Sequence, residues 1–432
     1  MVLMAPWGSR VAYLLTALSL GLIPDLACAQ PLLTLPAAIA GALHTQPQVA
    51  QSAYTVAENE DLSRAAQARL LPRLSVAGGS LWSESRNHLP LFVAANAPRE
   101  IIGQVRVTVP LYVPQLRALA SAAKDEAAIA RSRQAQARLA VVAQVVDSYY
   151  QLALMRTQAA IWRSTLRSVL TLYQDTQKSY TLGATSRLNL VQTHLLLGKA
   201  QAGLEQTAAQ MRAAARVLNL QIGRPAHAPL PLATMGVVRQ SLPSESRIDR
   251  QAQRTQPLLQ VARHEIALGR AQVRVHQGLR LPTIGAAVAY GVDTATIPQS
   301  GDVGWQGGVF FSMPLFGFGG YRDQIAASRE QVAALRAGRR ALILQMDSQI
   351  AHDYGAALAA NRMLANARGT AQGAKSVYRM TREGYLAGAL NALDLAQAEG
   401  SWLRARLRLA SARVQVRMTR AQLALDSGRY PE

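Results

Sequence analysis

A single cysteine, Cys28, is all that 432 residues contain, which excludes a disulfide framework and Cys-based metal sites. Cys28 itself falls in a segment that reads as an export signal. Arg10 supplies a positive charge, Val11 to Ile23 form an apolar run broken by Pro24 and Asp25, and Ala27-Cys28-Ala29 is a small-x-small cleavage site. Residues 1–29 are therefore assigned to a signal peptide, with the mature chain starting near Gln30. An uncleaved anchor is the alternative, but the run is shorter than the about 20 residues a membrane helix needs. A lipid on Cys28 would favour Leu three positions earlier, where Asp25 stands. No later segment approaches the roughly 18 consecutive apolar residues of a spanning helix, so any membrane crossing must use strands.

Acidic residues are also scarce: 25 Asp and Glu stand against 46 Lys and Arg, a formal charge of +21. Such an excess invites a nucleic-acid reading. The arginines, however, are spread along Ala-rich stretches and the signal peptide argues for export. Solvated helix faces account for them better, and in a pore the same charge would bias passage toward anions.

Proline is missing from two long stretches, between Pro114 and Pro225 and between Pro314 and Pro431. Each proline inside a helix would cost about 3 kcal/mol, so avoidance on this scale predicts long helices. Leu139, Val142, Val146, Tyr150 and Leu154 form an apolar stripe in the first stretch, and Leu342, Met346, Ile350, Tyr354 and Leu358 form one in the second. A helix from Gln115 to Thr181 would be about 100 Å long at 1.5 Å per residue. Such a helix suits a coiled coil or a tube of packed helices.

What is present is written twice. Gln46-Pro47 recurs as Gln256-Pro257 and Leu71-Pro72 as Leu281-Pro282, while Pro110-Leu111-Tyr112 returns as Pro314-Leu315-Phe316. Val146, Tyr150 and Leu154 match Ile350, Tyr354 and Leu358. Tyr180-x-x-Gly183-Ala184 matches Tyr385-x-x-Gly388-Ala389, with Leu188 and Gln192 matching Leu393 and Gln397. The offset drops along this series, which means that the loop between 83 and 101 is longer than its counterpart. Each repeat, 30–235 and 236–432, runs in one order: a helical stretch (about 35–70, then 247–279), two strand-like runs around a polar loop, a very long helix, a Gly-containing break and a last helix.

The candidate strands cover about 73–83, 101–111, 283–293 and 303–313. Val105, Val107 and Val109 alternate with Gln104, Arg106 and Thr108; Ile284, Ala286, Val288 and Tyr290 alternate with small residues; Val303, Trp305, Val309 and Phe311 oppose Gln306 and Ser312. Period-two alternation gives one apolar and one polar face, and about ten residues is the length of a tilted membrane-spanning strand. Trp82, Tyr290 and Trp305 would suit an aromatic girdle. A small soluble sheet covered by its own helices is the alternative. Four strands cannot close a barrel in lipid, whose usual minimum is about eight, so membrane strands would have to be pooled by several chains.

Taken in order, these motifs resemble the TolC-type outer-membrane efflux protein family over nearly all of the mature chain. The signatures are Leu33-Thr34-Leu35 with Gln46-Pro47, Leu70-Leu71-Pro72-Arg73-Leu74 entering a strand, and Val109-Pro110-Leu111-Tyr112 with Met313-Pro314-Leu315-Phe316 leading into helices. Tyr180-x-x-Gly183, Tyr385-x-x-Gly388 and Leu220-x-x-Gly223-Arg224-Pro225 complete them. The resemblance implies a mainly α fold with a small membrane β part: a homotrimer with a shared twelve-strand barrel in the outer membrane of a Gram-negative bacterium and a twelve-helix periplasmic tunnel. It implies a passive exit duct that docks with a periplasmic adaptor (a membrane fusion protein) and an inner-membrane transporter; the singly scattered histidines, the spread arginines and the export signal add the expectation of no cofactor, no metal and no nucleic acid.

In that family acidic residues near the second periplasmic turn close the entrance. Asp394 falls on the first such position, Gln397 replaces the acid at the next, and Asn189 takes the equivalent place in the first repeat; Gly183 and Gly388 mark the turns. Asp394 also stands three residues after Asn391, where it would cap a helix. Capping and gating are compatible.

Catalytic motifs fail on inspection. His264-Glu265 has Leu at 268 instead of a second histidine, Ser121-x-x-Lys124 lacks companion motifs, and Gly317-Phe318-Gly319-Gly320 reads as a turn. The sequence therefore points to a non-enzyme. The rival functional reading is an adaptor-like periplasmic coiled-coil protein, which would carry one helical hairpin where this chain has two.

Overall fold

The computed structural model describes residues 32–86, 89–90, 99–233, 241–294 and 303–431. The export signal at 1–29, part of the long loop after residue 86 and the border between repeats near 235 lie outside them.

Prolines divide the helical stretches more finely than their periodicity suggests. The first stretch, expected as one run, is two helices, α1 (Leu35–Thr45) and α2 (Pro47–Ala68). Pro47 has no N–H to continue the helix and forces Gln46 into an extended conformation, φ −70° and ψ 124°. The second stretch breaks the same way: α5 (Glu245–Thr255) and α6 (Pro257–Gly278) meet at Gln256, φ −66° and ψ 118°. Between α2 and the long helix α3 (Pro114–Thr181) lie β1 (Arg73–Trp82), the short pair β2 (Ser85–Arg86) and β3 (Leu89–Pro90), and β4 (Arg99–Tyr112); α4 (Arg187–Gln221) closes the half. The second half continues with β5 (Thr283–Thr294), β6 (Gly304–Ser312), α7 (Gly320–Leu386) and α8 (Ala392–Asp426). At 68 residues α3 is about 100 Å long.

The helices pack as two tiers along α3 and α7. In the tier nearer the sheet, α3 lies between α2 and α6, and α6 lies between α3 and α7; in the far tier α3 packs on α4 and α8, and α8 packs on α7. Each tier thus has four helices abreast. The tiers are joined by two splices built alike. Gln46 Nε2 donates to the carbonyl of Gln221, the last residue of α4, at 2.7 Å. Gln256 Nε2 donates to the carbonyl of Asp426, the last residue of α8, at 2.9 Å. Gly223 and Gly428, both at φ +73°, end these helices in the left-handed conformation. The Arg224 N–H then reaches Asn219 O at 2.8 Å and the Arg429 N–H reaches Ala424 O at 2.9 Å, so otherwise unpaired carbonyls are satisfied.

The main core sits at this level. Ala38 and Ala42 of α1, Val142 and Val145 of α3, and Leu218 of α4 are completely buried there. A parallel bridge between Leu33 and Leu232 ties the start of the first repeat to its end, and Tyr149 Oη donates to the Leu33 carbonyl at 3.3 Å. A smaller cluster of Ile248, Ala252, Ile350, Ala357 and Leu423 holds α5 on α7 and α8 in the second repeat.

Candidate functional site

The four longer strands form one antiparallel sheet in the order β1-β4-β5-β6. Its register carries the alternation of each strand across the whole sheet. Val76 pairs with Val105, Val105 with Tyr290 and Tyr290 with Trp305; one step along, Leu74, Val107, Val288 and Gly307 align. Successive side chains point to opposite faces, so Leu74, Val76, Trp82, Val105, Val107, Val288, Tyr290, Trp305, Val309 and Phe311 share one face. The other face carries Ser75, Ala77, Gln104, Arg106, Gln306 and Ser312, and Arg106 Nη2 donates to Gln104 Oε1 at 3.1 Å. Leu81, Ile102 and Phe310 interrupt that polar face.

The apolar face is bare. Val76 is 79% and Trp305 75% exposed, and among the described residues the four strands pack chiefly on one another, with no extensive contact between a strand and a helix. A soluble sheet would bury this face on its own helices. Among the described residues both outer edges, β1 and β6, are left without a partner strand. No helix among the described residues is long and apolar enough to cross a membrane.

At the far end of α3 and α7 two tight turns lead back into α4 and α8. The Ala184 N–H reaches Ser179 O at 2.8 Å around Gly183, and the Ala389 N–H reaches Gly384 O at 2.9 Å around Gly388. Both glycines have positive φ, +73° and +77°, and no atom lies within 4 Å of a Cβ placed on either. They are at the exposed tips. Ser186 caps α4 by accepting the Asn189 N–H at 3.3 Å, and the Asn189 amide donates to Thr185 Oγ1 at 3.0 Å. Asn391 caps α8 reciprocally: Asn391 Oδ1 accepts the Asp394 N–H at 2.9 Å, and Asp394 Oδ2 accepts the Asn391 N–H at 3.3 Å. Asp394 is half-buried and Gln397, one turn on, is exposed. Asp394, Asn189, Gln397 and the two glycines therefore all lie within about two helical turns of the tips.

A contact that sequence reasoning missed links the two hairpins just above these turns. The hydroxyls of Thr176 on α3 and Tyr385 on α7 are 3.0 Å apart. Thr176 Oγ1 also donates to Leu172 O at 2.9 Å, which commits its proton, so Tyr385 donates to Thr176. Thr176 is nearly fully buried. Only the duplicated Tyr-x-x-Gly pattern marked Tyr385; its partner is 209 residues away and nothing local identifies it.

The second hairpin also encloses charge. Glu399 is 4% exposed and hydrogen-bonds Tyr378, whose ring stacks on Trp402 with centroids 4.7 Å apart, while the Arg406 guanidinium lies over the Trp402 ring, 4.8 Å from its centroid. Burial, reinforced by the Glu399 carboxylate, pushes the Tyr378 hydroxyl up to about 12. Burial likewise raises Glu399, opposed by its Tyr378 hydrogen bond and by Arg406 and Arg382. The first repeat places Tyr173 against His194, rings 5.5 Å apart, in the corresponding position.

Asp426, at the splice of α8 onto α6, is raised to about 7 by burial and then by the Asp353 carboxyl, against the pull of Gln422, which donates to its Oδ1 at 2.9 Å. A proton held more tightly in the folded chain than by an ordinary aspartate, which titrates at 3.8, favours the native state in acid. That contribution is complete below about pH 3.8, declines as pH rises and is gone above about pH 7. The thermal midpoint of Asp426→Asn relative to wild type should therefore rise between pH 4 and pH 8 in detergent; a difference that stays constant over that range contradicts the assignment.

Comparison with known proteins agrees with this architecture. The model of the outer membrane efflux protein family matches residues 38–224 and 250–429. A membrane protein from Pseudomonas aeruginosa is 18% identical with a TM-score of 0.80 over 92% of this chain and 90% of that one. The outer membrane protein VceC from Vibrio cholerae is 18% identical with a TM-score of 0.77 over 92% of this chain and 97% of its own. Nodulation protein T from Rhizobium leguminosarum bv. trifolii is 21% identical over 271 residues, 61% of this chain and 58% of that relative.

Proposed function

The chain belongs to the outer membrane efflux protein family, and from that premise we propose that three copies form the passive exit duct of an efflux or secretion machine. The observation that carries the reading is the bare apolar sheet face with two open edges. Open edges cannot lie in lipid, because their backbone groups would find no partner. Four strands are too few to close, and eight would close around an interior filled by side chains. Three chains, with β6 of one pairing with β1 of the next, give twelve strands and a lumen lined by the Gln104, Arg106 and Gln306 face. The same three chains bring four helices each to both tiers, a tunnel of twelve. An adaptor-like role leaves the apolar face and the second repeat without a use.

The tips form the entrance in this arrangement. Asp394 and Gln397 on α8, with Asn189 on α4, ring the constriction, and the Thr176–Tyr385 hydrogen bond holds the second hairpin against the first. A periplasmic adaptor engages the hairpins and delivers cargo from an inner-membrane transporter. Opening must then break three copies of the Tyr385 bond, each worth about 1 kcal/mol net, so their loss favours the open state by roughly a hundredfold.

The test is direct. Outer-membrane fractions should contain a species that migrates as a trimer until boiled, and that trimer should conduct weakly in planar bilayers. Tyr385→Phe should preserve the trimer and markedly raise open-channel occupancy. A soluble periplasmic monomer would end the duct reading; a Tyr385→Phe channel identical to wild type would remove the latch.

A further inference from the structure

The charge excess is not evenly placed. Residues 156–221 and 360–426, which make up the tier ending at the tips, hold nineteen Lys and Arg against six Asp and Glu. The ion pairs described in the chain, such as Arg131–Glu60 and Arg133–Glu265, all lie outside these two spans. Most of the net charge is thus concentrated where the acids are fewest.

On α8 part of it is ordered. Asp394, Gln397, Ser401, Arg404, Arg408, Ser411 and Gln415 succeed one another at spacings of three and four, a single seven-residue stripe along the helix. From Gln397 onward each is exposed, whereas Leu395, Ala398, Leu403, Ala405, Ala410 and Val414, off the stripe, are buried against α3, α4 and α7. The one acid in the row, Asp394, is engaged by the start of its own helix. Among the described residues Arg404 donates to Ser401, at 3.0 Å, and no carboxylate pairs with Arg404 or Arg408. Beside Arg408 the stripe opens into a trough of about 820 Å³ between α7 and α8, floored by Ala360, Met363, Leu407 and Ala412 and edged by Asn366 and Gln415. An apolar floor with one guanidinium at its rim matches a molecule that is greasy at one end and anionic at the other.

We infer that this trough is a lumenal relay site for amphipathic organic anions, with Arg408 taking the carboxylate or sulfonate and Arg404, one turn nearer the entrance, receiving it first. The inference rests on the duct reading, which turns the Asp394 side of α8 toward the axis. Arg408 then stands about 21 Å inside the entrance, fourteen residues at 1.5 Å each. Three chains stack six guanidiniums above three carboxylates. Such rings raise the local anion concentration and repel cations. An exit duct with this lining favours acidic cargo.

The experiment uses detergent-purified trimers in planar bilayers at low salt, where screening is weak. Under a KCl gradient the wild-type reversal potential should have the sign for anion preference, and Arg404→Gln with Arg408→Gln should shift it toward cations. Sodium 1-naphthoate at millimolar concentration should block wild-type current from the entrance side, whereas neutral 1-naphthalenemethanol should not. Arg408→Gln should weaken that block by about tenfold, the scale of one charge-assisted hydrogen bond. Both arginines are exposed, and heat-stable trimers on gels confirm that the variants assemble. A wild-type channel that prefers cations, or a reversal potential and block unchanged in the double variant, overturns the relay site and leaves the duct standing. Failure of wild-type trimers to conduct at all overturns the duct, and the relay site with it.

Discussion

Val288→Arg should remove the heat-stable trimer from the outer membrane, while Gln306→Arg at nearly the same height should leave it in place. Val288 sits in the middle of β5, is half exposed, and is flanked by Val107 on β4 and Gly307 on β6. In the proposed barrel its face is the one that meets lipid. An arginine there costs about 2–4 kcal/mol near the bilayer midplane, and a trimer carries three, so the assembled barrel loses roughly 6–12 kcal/mol. That is comparable to the whole stability of a typical domain. Gln306 pairs with Ala289 on the opposite face, among Arg106 and Gln104, where in the proposed barrel the lumen hydrates another guanidinium. The measurement is the trimer band in membrane fractions before boiling. Equal loss in both variants would mean that the two faces do not differ in solvent, and the barrel would have to be abandoned.

What the sequence made legible follows from the range of each interaction. Strand alternation is local, and pairing in register multiplies it, so Val105, Tyr290 and Trp305 can be placed on one face before their partners are known. The capping of α8 by Asn391 and Asp394 spans three residues and is equally readable. Gln46-Pro47 and Gln256-Pro257 are conspicuous as repeats, but periodicity alone ran one helix through each, because the break depends on the backbone preference of the residue before proline. That these glutamines cap α4 and α8 could not be read at all: the bonds close over 175 and 170 residues. The Thr176–Tyr385 contact is hidden for the same reason. The stripe of Arg404 and Arg408 lay in plain view within a basic helix, and only the burial of its flanks distinguishes it from an ordinary solvated face.

Gly223→Ala should destabilise the chain far more than Gly183→Ala, although the two glycines have the same φ of +73°. A left-handed backbone costs a residue with a Cβ roughly 1–2 kcal/mol, and both variants bear that. At Gly183 nothing lies within 4 Å of the added carbon, so the backbone term is the whole effect. At Gly223 the carbon would fall 2.5 Å from Thr45 Cγ2 and 2.7 Å from Thr45 Cβ. Thr45 cannot swing away freely, because its hydroxyl donates to Gly41 O at 2.9 Å and its neighbour Gln46 is bonded to the end of α4. Overpacking of this kind adds about 1–3 kcal/mol. Gly428→Ala meets the equivalent obstacle, the Thr255 carbonyl at 2.9 Å, but that oxygen is backbone and still less able to yield. The expected order of thermal midpoints is wild type, then Gly183→Ala, then Gly223→Ala and Gly428→Ala together. Because the splices join the tier bearing the sheet to the tier bearing the tips, loss at either should also weaken the trimer on gels. Midpoints that fall equally for Gly183→Ala and Gly223→Ala would show that backbone conformation alone is at stake and that the end of α4 does not press on the end of α1.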